Sequence, residues 1–270
     1  MMAVTNKIRF IVVLSLFSWC KDRYFSDTLF PSEIKSPQRQ LQTIAQTLFC
    51  STFFIYIKNK YLCSRMKIFA IGMNYAAHNQ ELHGTMKRPD EPVIFTKADS
   101  AILNQGKPFF IPDHLGRIDY ETEVVVRICR LGKNIPERFA HRYYDAVTVG
   151  IDFTARDLQK KASEAGQPWA ICKGFDGSAA IGEWVPKEKF IDLQALHFHL
   201  DINGQTVQEG CTSNMLYKID EIIAYISQFF TLKTGDILYT GTPAGIGPVK
   251  INDHLEGWLE ERKVLDFNCK

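Results

Sequence analysis

The sequence predicts a β-dominated α+β fold, a roll or sandwich with a few short helices. Three observations carry this. Short alternating apolar runs recur between turn signals, the Asn203-Gly204 pair joins two of them as a hairpin, and the helical patterns are too few for a regular βαβ array. No internal repeat is visible. The 270 residues are 46% hydrophobic and 23% charged, which is globular and excludes wholesale disorder or a polytopic membrane protein. A net charge of +2 argues against nucleic acid as a partner.

That average hides a break at Met66. All 17 glycines follow it, residues 1–65 carry nine Lys/Arg against three Asp/Glu, and residues 66–270 carry 23 against 27. The first 65 residues contain two apolar runs, at 10–19 and 48–57, each too short for a membrane span of about 20 residues. They read as a divergent targeting segment, a membrane-associating arm, or translated sequence ahead of a start at Met66. The last is the reading preferred here, with residues 66–270 as the domain. Seven cysteines without a C-x-x-C pair indicate reduced thiols in a cytoplasmic protein.

Within the domain, 66–71 alternates as a strand that Gly72-Met73-Asn74-Tyr75 ends, and 76–82 gives a short helix before the Gly84 and Arg88-Pro89-Asp90 breakers. Strands are expected at 92–96 and 107–111, and the strongest at 120–128. A helix at 136–144, a strand at 146–152 and a helix at 155–165 follow. The hairpin strands 195–202 and 205–209 come next, then an amphipathic helix over 218–230 with Ile219, Ile222, Ile223, Tyr225, Ile226 and Phe229 as its apolar positions, and a strand at 237–240.

Chemistry concentrates in a few places. On a strand, Glu121 and Glu123 share a face within a valine-rich run, and two like charges there call for a cation such as Mg²⁺, Mn²⁺ or Ca²⁺. Their alternative is the solvated face of a half-exposed strand. Asp152 ends an apolar strand and could add a third oxygen, or simply cap the helix bearing Arg156 and Gln159. His78 and Glu81, at i and i+3, could form a general base or an exposed ion pair. Lys173 precedes a glycine, as a desolvated cation or a surface lysine. The loop Gly241-Thr242-Pro243-Ala244-Gly245-Ile246-Gly247 matches neither a P-loop nor a dinucleotide fingerprint, yet could hold a carboxylate. His197 and His199 share a strand face without a nearby carboxylate, and read as core-edge or surface histidines rather than a cupin-type site.

Taken in order, Gly72-x-Asn74-Tyr75-x-x-His78-x-x-Glu81, Tyr120-Glu121-x-Glu123, Asp152-x-x-x-Arg156-Asp157-x-Gln159, Lys173-Gly174-Phe175-Asp176 and Thr240-Gly241-Thr242-Pro243-Ala244-Gly245 resemble the fumarylacetoacetate hydrolase family, in its acylpyruvate hydrolase and 2-hydroxyhepta-2,4-diene-1,7-dioate isomerase branch. The likeness spans about residues 66–250. It implies a mixed β-sandwich roll, a homodimer, and one divalent metal, commonly Mg²⁺, held by Glu121, Glu123 and Asp152. It further implies His78 and Glu81 as the water-activating dyad on a segment that closes as a lid. Arg156, Gln159 and Lys173 would stabilise oxyanion charge, and Asn74, Tyr75, Lys97 and Thr242 would bind substrate. The expected activity is cleavage of 2,4-dioxo acids to pyruvate and a carboxylic acid, as in the breakdown of aromatic compounds. Oxaloacetate decarboxylation or isomerisation of an unsaturated 2-oxo diacid on the same site is the alternative, and a non-catalytic binding module the alternative of another class. Met73 stands where acylpyruvate-cleaving members often carry a basic residue, and Gly177, Ala180 and Glu183 depart from the usual Thr and Pro around the lysine loop.

Overall fold

A computed structural model describes residues 66–270; the expectations for residues 1–65 lie outside the described residues. In chain order the strands are β1 (Ile68–Gly72), β2 (Val93–Lys97), β3 (Ile102–Leu103), β4 (Ile118–Tyr120), β5 (Thr122–Ile128), β6 (Tyr144–Asp152), β7 (Thr154–Ala155), β8 (Ala179–Ile181), β9 (Val185–Pro186), β10 (His197–Ile202), β11 (Gln205–Cys211), β12 (Ile237–Tyr239), β13 (Gly247–Pro248), β14 (His254–Leu259) and β15 (Arg262–Asn268). The helices are α1 (Ala76–His83), α2 (Glu137–Ala140), α3 (Arg156–Glu164), α4 (Ala170–Lys173) and α5 (Ile219–Phe229). Among the described residues no helix is long and apolar enough to cross a membrane.

The predicted mixed, β-dominated architecture is the observed one. A large sheet runs β2-β1-β12-β5-β6-β8-β3, with β9 added beside β6; a second runs β11-β10-β14-β15, and a small third runs β13-β4-β7. Pairs β1/β12 and β3/β8 are parallel, while β5 is antiparallel to both its neighbours. The valine-rich β5 lies at the centre because both of its faces can be buried. Val124, Val126 and Ile128 join the apolar stripe Ile219, Ile222, Ile223 and Ile226 of α5, whereas Val125 packs with Ile68, Ala70 and Tyr239. Glu221 reaches back to accept the Lys218 N–H at 2.7 Å and starts α5. The second sheet covers Ile151 and Phe153 through Leu200, Leu255, Leu265 and Phe267.

Three differences from the sequence reading have physical causes. Residues 107–111 form no strand of a sheet. Phe109 is drawn into the core, stacking on Phe153 at 3.9 Å between ring centroids, and its backbone pairs with residues 268 and 270. The helix expected at 136–144 stops at Ala140 because Tyr144 already begins β6. The closing antiparallel pair, β14 and β15, carries a register shift between Gly257 and Trp258 that interrupts its alternation, so the sequence pattern does not announce it. The Asn203-Gly204 turn is as expected, with φ of 54° and 75° suited to a tight hairpin.

Two changes of sheet position the site. The chain leaves the small sheet at Tyr120 and enters the large one at Thr122, so only Glu121 separates β4 from β5. It makes the reverse passage at Phe153, between β6 and β7. The Asp152 N–H donates to Glu121 O at 2.8 Å, which ties the two crossings together. Gly150, opposite Glu123, lets β8 and the Val125 side chain pack close to β6: a Cβ there would lie 2.6 Å from Ala180 O and 2.7 Å from a Val125 methyl. Gly150→Ala is therefore expected to lower stability by about 1–3 kcal/mol. Urea unfolding reads this directly, and an unchanged midpoint would contradict it.

Candidate active site

Glu121, Glu123 and Asp152 are buried, and each offers an oxygen within 4.8 Å of the others. Their surroundings treat them unequally. Lys173 Nζ donates to Glu121 Oε2 at 2.6 Å, Asp152 Oδ2 at 2.9 Å and Thr154 Oγ1 at 2.7 Å. Arg156 adds a 2.7 Å bond to Glu121 Oε1. Burial pushes the Glu121 carboxyl up, but Lys173 and Arg156 outweigh it and hold it well below the usual carboxylate range. Glu123 receives only the Gly241 N–H, at 2.6 Å, among the described residues. Burial, then the charges of Asp152 and Glu121, push it well above that range. One of three clustered carboxylates thus lacks a positive partner, and three hard oxygens suit Mg²⁺, Mn²⁺ or Ca²⁺. A second acidic group, His254, Glu256 and Asp266, does not fit an ion in this way. It is partly exposed, and Lys263 Nζ already lies 2.7 Å from both acids.

The dyad expected on α1 faces this cluster. His78 Nδ1 lies 3.5 Å from Glu81 Oε2, which also accepts the Gly245 N–H at 3.2 Å and so links α1 to the glycine-rich loop. Burial lowers the His78 pKa from its ordinary 6.5; Glu121 and Glu81 oppose this, while Lys173 and Arg156 reinforce it. Arg156 donates to Asp119 at 2.8 Å and to Gln159 Oε1. Because arginine can only donate, the Gln159 oxygen must face it, and the Gln159 NH₂ is left for the cleft.

The cleft is lined by Met73, His78, Leu82, Phe95, Glu121, Glu123, Gln159, Trp169, Lys173 and Thr242. It therefore brings together six of the residues expected to act. Arg156 stands beside it, acting on Glu121 and Gln159. Three expected substrate contacts are not among its lining residues. Asn74 spends its amide on Tyr217 O, Thr240 O and the Tyr217 N–H, at 2.7–3.0 Å. Tyr75 is buried in the large apolar cluster. Lys97, wholly enclosed, lies 2.6 Å from Asp152 Oδ1 and donates to Ser178 and Lys173 O. Met73 adopts φ 61°, the left-handed region, at the cleft mouth. His199 stacks on Trp258 at 5.7 Å and takes no part.

Several contributors escape the sequence reading. Asp119, fully buried, anchors both Arg156 and Arg117. Its position two residues before Glu121 is the only available signal. Phe95 and Trp169, at 5.6 Å edge to face, form the apolar wall, and Gln208 bonds to the loop from another sheet. A larger cavity, about 340 Å³ between β8 and β15, has no such convergence of acids and donors.

Removing one partner of a buried ion pair leaves the other uncompensated. Lys97→Met should destabilise the chain by about 3–5 kcal/mol in the presence of a chelator, by denaturant unfolding. A loss under about 1 kcal/mol would show that Lys97 does not neutralise Asp152.

Residues 67–269 match the family model described as fumarylacetoacetate (FAA) hydrolase C-terminal. The chain is 38% identical over 203 residues to a mouse oxaloacetate tautomerase FAHD1, mitochondrial, covering 75% of this chain and 91% of that protein. Its counterpart of the same name from Arabidopsis thaliana is 40% identical over 204 residues, covering 76% and 91%. The crystal structure of fumarylpyruvate hydrolase from Pseudomonas aeruginosa in complex with Mn²⁺ and pyruvate superposes with a TM-score of 0.70 at 31% identity, covering 75% of this chain and 88% of that one. With this match along the whole described domain, the chain belongs to the fumarylacetoacetate hydrolase family.

Proposed function

We propose that residues 66–270 form a divalent-metal-dependent hydrolase that cleaves 2,4-dioxo acids to pyruvate and a carboxylic acid. The observation that carries this is a buried histidine lining one cleft with Glu121 and Glu123, two of three clustered acids. Glu121, Glu123 and Asp152 would hold the ion. When bound, it would act as a Lewis acid, polarising the 2-oxo group and stabilising enolate charge. Magnesium as that ion, and a homodimer as the working assembly, belong to the same proposal and rest on the family resemblance.

The chain's own groups supply the rest. His78, beside Glu81, takes a proton from a water as its oxygen attacks the C4 carbonyl. The Gln159 amide would donate to the charge that develops on the former carbonyl oxygen, and Lys173, bound to Glu121, Asp152 and Thr154, would add its positive charge nearby. Collapse breaks the C3–C4 bond, leaving the carboxylic acid and the enolate of pyruvate, and the proton held by His78 returns to C3. Phe95, Trp169, Leu82 and Met73 keep bulk water from the reacting carbons.

A second reading has its own support. The mouse and Arabidopsis relatives are named oxaloacetate tautomerases. Enol–keto exchange of oxaloacetate needs proton transfer and enolate stabilisation but no attacking water, so the same acids and lysine would serve.

Assays of acetylpyruvate and oxaloacetate with Mg²⁺, after chelation, and with Glu123→Ala separate these readings. Chelation and Glu123→Ala should each remove both activities; persistence of either would overturn the metal site. His78→Ala should cut acetylpyruvate cleavage by about 10²–10⁴-fold while sparing oxaloacetate tautomerisation. Full retention of cleavage refutes the dyad.

The pH dependence has a defined sign. A base must be unprotonated to act, and a lowered pKa leaves His78 unprotonated down to lower pH. The acidic limb of kcat/KM for hydrolysis should thus have its midpoint below the ordinary imidazole value of 6.5. A midpoint above it would remove His78 as the base.

A further inference from the structure

On one side, strand β5 lacks a strand partner where it carries Glu123. It pairs with β6 along its length, but on its other side β12 ends with Tyr239 opposite Val125. Thr122 and Val124 turn their backbone groups toward that uncovered side. Four non-strand bonds take the place of a ladder. The Thr240 N–H and hydroxyl donate to Val124 O at 3.2 and 2.8 Å, and the Thr242 hydroxyl donates to Thr122 O at 3.0 Å. The Thr122 N–H goes to Gln208 Oε1 at 2.9 Å.

Gln208 belongs to β11 of the other sheet and is 3% exposed. Its amide also donates from Nε2 to Thr242 Oγ1 and to Pro243 O, both at 2.9 Å. One side chain thus grips the acid strand and the 241–245 loop at once. It also fixes the Thr242 hydroxyl, whose oxygen accepts from Gln208 while its proton goes to Thr122 O. The residue before Thr242 is Gly241, which supplies the N–H on Glu123.

The geometry points to Gln208 as a positioning residue that stands in for the missing strand and keeps the Gly241 N–H aligned on the Glu123 carboxylate. Its effect on ion binding rests on the metal-site reading proposed above; the clamp between strand and loop does not.

Gln208→Met keeps the volume and removes three hydrogen bonds; Thr242→Val removes the hydroxyl that the clamp holds. Both are to be measured in the full chain with their double variant. Without metal, Gln208→Met should raise amide exchange about tenfold in peptides spanning 119–125 and 239–246, and leave β14 and β15 unchanged. It should also weaken Mn²⁺ binding, read by calorimetry, by about tenfold. Thr242→Val should do the same, and the double variant should be no worse than the weaker single one. Ile226→Ala, a core truncation elsewhere, should lower the melting temperature without changing Mn²⁺ affinity. Unchanged exchange at either segment, strictly additive losses, or an equal affinity loss in Ile226→Ala would overturn the proposal. If Gln208→Met fails to fold, Thr242→Val carries the same exchange test. Absence of Mn²⁺ binding in the unaltered chain would sink the metal reading alone, and the exchange result would still decide the clamp.

Discussion

The carboxylates of Glu121, Glu123 and Asp152 repel one another where water cannot screen them, and much of the surrounding structure answers that repulsion. Lys173 spans two of the acids, Lys97 closes on Asp152 from behind, and Arg156 holds Glu121 while being held by Asp119. Such groups stabilise the fold only because each is paired; an isolated buried charge costs several kcal/mol or more. The pairing is incomplete at Glu123, which among the described residues has a backbone amide and no ammonium or guanidinium. A cation held there would relieve that local shortage of positive charge.

Backbone arrangement supplies the proximity that side-chain chemistry requires. Neighbouring strands β5 and β6 each change sheets within a residue or two of an acid, so carboxylates 29 to 31 positions apart in sequence meet without a dedicated loop. Gly241, at φ 101°, has the same kind of role on the opposite wall. A Cβ there would lie 2.7 Å from the Asn74 Cβ, so only glycine lets the loop approach the residue that braces it.

Where a signal is local, the sequence discloses it. The alternation around Glu121 and Glu123, the i,i+3 spacing of His78 and Glu81, the Asn203-Gly204 turn and the stripe of α5 are each decided by neighbours within a few residues. Long-range partners leave no such trace. Asn74 and Tyr75 sit inside a recognisable motif, yet only the packing shows Asn74 bonded to Thr240, Tyr75 among the apolar core residues and Lys97 against Asp152. Gln208 is less visible still, because its meaning comes from a strand that ends early on another part of the chain. The same limit explains Phe109, whose segment looks like a strand until its ring is seen stacked on Phe153.

The distance in sequence between the clamp's partners has a consequence for how the protein is made. Lys173, Glu121 and Asp152 can gather once the chain has been synthesised to about the middle of the domain. Glu123 must wait for Gly241, 118 residues later, and Thr122 for Gln208, 86 residues later. Contacts of such separation carry a loop-closure cost and form late. A nascent chain that has reached Lys173 therefore still lacks the Gly241 N–H that Glu123 accepts and the Gln208 amide that Thr122 bonds, so this side of the acid cluster is completed only late in synthesis.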